Sequence, residues 1–153
     1  MTTTTYPDGS VAPEPDKGSR RSRRQRFSAD QSAPQVGRDL ARAALADPRW
    51  PVDSQTREDT IVVVNELVTA SCVAGATNIE LDVEVHRRHV TVFVRDDRPR
   101  EGRVGIEETS ARSMLLDAIT ASRSVYHDWN CTVTVAQIRR NDTPGGRHLS
   151  VVR

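Results

Sequence analysis

His86 and His89 stand at H-x-x-H spacing, at which two imidazoles can share a zinc ion. A structural zinc site needs two more soft ligands, and the cysteines, Cys72 and Cys131, fall in a helix-like and a strand-like segment well apart in the chain. The pair therefore reads as turn histidines in solvent, with no metal. A serine hydrolase is no better supported: no G-x-S-x-G elbow occurs, and P-loop spacing is absent. The densest charge feature is Arg20, Arg21, Arg23, Arg24 and Arg26, five arginines in seven residues. Such a run can clamp phosphates of nucleic acid or an acidic protein surface. No aromatic interleaves it, so it reads first as a solubilising tail. Ser22 and Ser28 lie near these arginines, a context basophilic kinases favour.

These residues sit on elements that hydropathy patterning outlines. Arg26 to Ala29 suits a short strand. Residues 33–46 read as a helix, with Pro34 in its first turn and Val36, Leu40, Ala43 and Ala44 at helical spacing. Pro48 and Pro51 stop it, and Trp50 between them reads as core or rim packing, as does Trp129. Asp53 or Ser54 caps a second helix running to about Val73, with Ile61, Val64, Leu67, Val68 and Cys72 on one face and Gly75 past its end. The period then changes to two. Ile79, Leu81, Val83 and Val85, then Val90, Val92 and Val94, predict an antiparallel hairpin turning at residues 86–89. A charged loop follows over 96–108, then a helix over 111–121. A last hairpin is expected from Cys131, Val133, Val135 and Ile138 through the turn Thr143-Pro144-Gly145-Gly146 to 149–152. Helices among antiparallel hairpins predict an α+β two-layer sandwich, with helices on one face of a mixed, mostly antiparallel sheet.

The chain has 153 residues, 22 basic against 21 acidic, and 36% hydrophobic residues. The near-neutral total hides an asymmetry. Residues 1–26 carry six basic and three acidic residues, net +3, and residues 27–153 carry sixteen and eighteen, net −2. The first segment is almost devoid of apolar residues, which predicts a disordered basic tail over 1–26 and one folded domain over 27–153. No apolar run is long enough to span a bilayer, and two cysteines form no disulfide framework, which points to a cytoplasmic protein. Lysine occurs once among the 22 basic residues, a bias that reads as GC-rich coding.

Four segments in order carry a resemblance. IVVVNELVTASCVAGA, from Ile61, resembles the first nucleotide-binding helix of the histidine-kinase/Hsp90-type (GHKL, Bergerat) ATPase fold, which reads ELVT-N-A in actinobacterial anti-sigma-factor serine kinases. VTVFVRDDRPRE resembles the strand and loop bearing that family's adenine-reading aspartate. SARSMLLDAI resembles the phosphate-lid segment, and PGGRHLSVV the final Gly-Gly turn and strand. Together they cover about residues 27–153.

The resemblance implies roles residue by residue, and some of them are broken. Glu66 matches the glutamate that positions or deprotonates the attacking group. The Mg²⁺-binding asparagine one helical turn later is Ala70, whose methyl coordinates nothing. Asp96 matches the adenine anchor, and Arg98 stands where a small residue admits the base. The lid glycines are Ala111 and Ser113, so backbone N–H groups lose their freedom to wrap phosphates. Asn65 or Asn78 would have to supply a shifted ligand.

The expectation is a degenerate member, a regulatory protein in transcriptional or developmental control that binds a protein, with ATP and Mg²⁺ as cofactors only if the site works. The implied partner is a sigma factor or an anti-sigma antagonist, with a homodimer allowed. An active ATP-dependent serine protein kinase is the alternative. A nucleic-acid-associated factor using the arginine run is a second alternative.

Overall fold

The computed structural model describes residues 20–98, 111–128 and 130–141. Its elements in order are β1 (Arg20–Ser28), α1 (Ala33–Leu45), α2 (Ser54–Val73), β2 (Asn78–His86), β3 (His89–Asp96), α3 (Ala111–Ile119), β4 (Ser122–Asp128) and β5 (Cys131–Arg139). The strands form one sheet in the order β1-β2-β3-β5-β4, every pairing among the described residues antiparallel. The helices pack on one face of it, giving the α+β sandwich the patterning predicts.

Alternation in β2 and β3 decides which face is dry. Ile79, Leu81, Val83, Val85, Val90, Val92 and Val94 are fully buried, and register partners such as Val83 and Val92 stand side by side under α1 and α2. α2 contributes Thr56, Thr60, Val63, Val64, Leu67, Val68 and Ser71 at helical spacing, so its buried stripe carries hydroxyls at both ends. Thr60 donates its hydroxyl to the Thr56 carbonyl at 2.7 Å, which removes the cost of burying it. Asp53 caps the helix by accepting from the Thr56 N–H at 3.0 Å, and Gly75 ends it at φ +88°. α1 comes close to α2 because Gly37 has no side chain. A Cβ there would lie 3.2 Å from methyls of both Val64 and Val68.

Two expectations need correction. The arginine run, assigned to a disordered tail over 1–26, is ordered strand from Arg20 onward; residues 1–19 lie outside the described residues. Burial does not explain that strand, since most of β1 is exposed. Its ladder to β2 does, together with cross-strand ion pairs: Arg26 Nε to Glu80 at 2.5 Å, Arg24 to Asp82 at 3.4 Å, and Arg20 to Glu84 at 3.6 Å. Arg21 pairs with Asp47 after α1. The run is thus largely the counter-charge of the domain's own acids.

β5 holds Cys131, Val133, Val135 and Ile138 on one strand, as expected. Its buried, helix-facing residues are Thr132, Thr134, Ala136 and Ile138, paired with Asp96, Val94, Val92 and Val90. Val133 and Val135 face the other side, beside Arg95 and Phe93. Cys131 is also buried. The second correction is β4, which the patterning misses because SRSVYHD shows no apolar alternation. It is an exposed edge strand. β5 is therefore paired on both sides, to β3 and β4. The turn and strand expected over 143–152 lie outside the described residues.

Candidate functional site

Asp96 ends β3 on the dry face, in phase with Val90, Val92 and Val94, and is only 3% exposed. A buried carboxylate must be satisfied or neutralised, and here it is satisfied. Ser71, the last hydroxyl of the buried α2 stripe, donates to Oδ2 at 2.6 Å. Arg98, two residues beyond, supplies the rest. Its main-chain N–H donates to Oδ1 at 3.0 Å, its Nε lies 2.9 Å from both oxygens, and its Nη2 lies 2.8 Å from Oδ2. The planar guanidinium thus covers the carboxylate edge, a geometry suited to this kind of pairing.

Ser71 is a site residue that motif matching misses. The signal for it was present: it lies four residues after Leu67 on the buried face, and a serine there needs an acceptor. Its neighbour Cys72 is partly buried, and burial raises its thiol pKa, with Asp30 and Asp96 adding in the same direction.

The rest of the implied constellation is distributed. Glu66 and Ala70 share a flank of α2 and are half-buried. Ser113 is on α3, which packs against α2, and accepts from Arg123 Nη2 of β4 at 3.0 Å; the same nitrogen donates to Asp117 at 3.0 Å. Ala111 is the first residue of α3. Asn65 and Asn78, two side chains that could stand in for the ligand the resemblance implies, are engaged elsewhere. Asn65 accepts from Arg38 Nη1 of α1 at 2.5 Å, and the side-chain nitrogen of Asn78 donates to Asp97 at 3.3 Å.

Asp97 pins the loop after β3 to the start of β2. It accepts from the Thr77 N–H at 2.7 Å, the Thr77 hydroxyl at 2.6 Å and the Asn78 N–H at 3.1 Å. Partial burial opposes ionisation, but these donors outweigh it and hold the carboxyl well below the usual 3.8. A depressed folded-state pKa stabilises the fold above pH 3.8 and loses that contribution as pH falls through the folded value. Asp97→Asn is expected to reduce stability at neutral pH and to flatten the acid-side decline. Urea unfolding between pH 7 and pH 2 measures this, and an unchanged acid slope contradicts it.

His86 and His89 flank the β2–β3 turn and stack on each other, ring centroids 4.4 Å apart, rather than splaying around a shared ion. Among the described residues, no group of three or more His, Cys, Asp and Glu side chains is placed to hold a metal. Trp50 packs against the core, and Trp129 lies outside the described residues. None of the described helices is long and apolar enough to cross a membrane.

No family model matches the chain, and no curated protein matches it. Solved structures do. The crystal structure of the RsbU and RsbW domains of Rv1364c from Mycobacterium tuberculosis matches with a TM-score of 0.60 at 15% identity. The match covers 78% of this chain and 32% of that one, so the present chain corresponds to a minority of its length. At that identity the likeness concerns the fold: this chain shares its architecture with part of the RsbU–RsbW structure.

Proposed function

We propose that this chain is a regulatory protein of the anti-sigma-factor type, acting by binding another protein through an ATPase-like sandwich whose nucleotide site is closed from within. The observation that carries this reading is the saturation of Asp96 by Arg98 and Ser71. In the resembled family that carboxylate reads the adenine amino group. A base entering here must displace a guanidinium from a buried acid, and Ala70 offers no oxygen to a magnesium ion. The resemblance of the Ile61 helix and the shared fold with the RsbU–RsbW structure support the anti-sigma character. A sigma factor or an antagonist of an anti-sigma factor is the corresponding partner.

Kinase chemistry is not part of this proposal, since phosphoryl transfer depends on metal-assisted charge neutralisation and lid contacts. Nor does the arginine run favour nucleic acid, because Arg20, Arg21, Arg24 and Arg26 already pair with carboxylates of the domain.

Titration calorimetry with ATP and Mg²⁺ tests the closed site. The expected result is no saturable heat up to millimolar nucleotide; micromolar, Mg²⁺-dependent binding would overturn it and restore the kinase reading. Affinity capture from the source organism then tests the partner class.

A further inference from the structure

The sheet face away from the helices carries its own order. Strand registers place Arg20 opposite His86 and His89 opposite Arg139, and the stacked rings close the gap between β2 and β3. Counting in steps of two along each strand puts all four residues on the helix-free face, at the end far from Asp96. They form one row, Arg–His–His–Arg, across four strands. At about 4.8 Å per strand the row is about 14 Å long. Arg87 and Arg88 in the adjoining turn extend it, and all four of these arginines are exposed.

Among the described residues, Glu84 is the carboxylate in contact with the row. Glu84 lies 3.0 Å from His86 Nε2 and 3.6 Å from Arg20. Among the described residues, four arginines against this glutamate leave the row net positive. Beneath the row, Arg140 donates to the His86 carbonyl. Uncharged Thr91 and Gln137 follow on β3 and β5.

We propose that this row is a docking site for a short acidic peptide segment of a protein partner, laid across the strands at the β2–β3 turn. Its length matches about four extended residues. A long polyanion fits less well, because beyond the end row it would run onto the acidic column of Glu80, Asp82 and Glu84, where Arg24 and Arg26 of the same face are already paired with carboxylates. The choice of a peptide over nucleic acid rests on the protein-binding reading above; the row itself stands whether or not ATP binds.

The histidines add a second property. Burial and the neighbouring His86 hold the His89 pKa below its usual value, with Glu84 opposing. The groups facing the pair are Arg20 from β1, Glu84 from β2, Arg87 and Arg88 from the turn, and Arg139 and Arg140 from β5 and its end. An anion laid on the row favours the charged form of His89, so binding takes up protons.

Fluorescence anisotropy of the full chain with a labelled hexaglutamate peptide tests this at low salt. Binding is expected to tighten from pH 8 to pH 6, a range in which the peptide stays ionised. The double substitution Arg20→Gln, Arg139→Gln is expected to weaken it about ten-fold, at about 1 kcal/mol or less per exposed charge, with the melting temperature little changed. Substituting His86→Gln and His89→Gln should abolish the pH dependence while leaving binding at pH 8. Absence of peptide binding, or binding indifferent to the arginine pair, overturns the site. Tighter binding of a labelled oligothymidine that is lost with the same pair overturns the acidic-protein assignment, and with it the partner class.

Discussion

Replacing Arg140 with methionine is expected to lower the unfolding free energy by about 3 kcal/mol. Arg140 follows the last residue of β5 yet is only 7% exposed. Its Nη1 donates to the His86 carbonyl at 3.0 Å and its Nη2 to the Pro51 carbonyl, while its main-chain N–H donates to the Arg88 carbonyl at 3.0 Å. One side chain thus ties the end of β5 to the β2–β3 turn and to the loop between α1 and α2. The next residue reinforces the tie, the Asn141 N–H lying 3.4 Å from the Thr56 hydroxyl at the start of α2. Methionine keeps most of the aliphatic stem but removes the donors and strands two carbonyls. The neighbouring Arg139→Gln is the control, because Arg139 is exposed and should cost under about 0.5 kcal/mol. Urea denaturation with an unchanged m-value measures both. A loss below about 1 kcal/mol for Arg140→Met would show that water replaces the guanidinium and that the clamp is not structural.

Arg98→Ser has the second largest expected effect and bears directly on the site. Asp96 would keep Ser71 and a main-chain donor but lose its ion pair while buried. Removing one partner of a buried pair costs about 3–5 kcal/mol. The Arg98 side chain is 25% exposed and two donors remain, so the expected loss is lower, about 2 kcal/mol. The functional consequence runs the other way. An uncovered carboxylate facing the vacated space is the group that a purine amidine edge would approach. Adenosine should therefore raise the melting temperature of the variant and leave the unsubstituted protein unchanged. Mg²⁺ with ATP should add nothing to that shift, because Ala70 is untouched. Equal responses of the two proteins to adenosine would mean that Arg98 does not close the pocket. A Mg²⁺-dependent gain would mean that another oxygen, outside the implied set, binds the metal.

The first two helices and the central hairpin were legible because they bury one face each. Val83, Val85, Val90 and Val92 alternate so regularly that register and facing follow from period two alone. Asp53, Pro34 and Gly75 mark helix ends by local chemistry that needs no tertiary partner. The edge strands were not legible. β1 is stabilised by arginines whose partners, Glu80, Asp82 and Glu84, lie some sixty residues away, and composition reads the same residues as a tail. β4 has no buried face to advertise. In β5, pairing with β3 turns Thr132 and Thr134 inward, which apolar period alone does not reveal.

At the site, two losses are implied by the resemblance from residue identity alone. Alanine at position 70 cannot bind a cation, and arginine at 98 cannot leave the room a small residue leaves; both follow from covalent structure whatever the fold. Whether Asp96 was open to a ligand was a different question, because it depends on which donors converge on one buried carboxylate. Ser71 and Arg98 reach it from a helix and a loop that only packing brings together. The same holds for the row of Arg20, His86, His89 and Arg139, four residues scattered over the chain that strand pairing sets side by side. Local hydrogen bonds and hydrophobic period are written in neighbouring residues. Charge partnership between distant strands is decided only when the sheet forms.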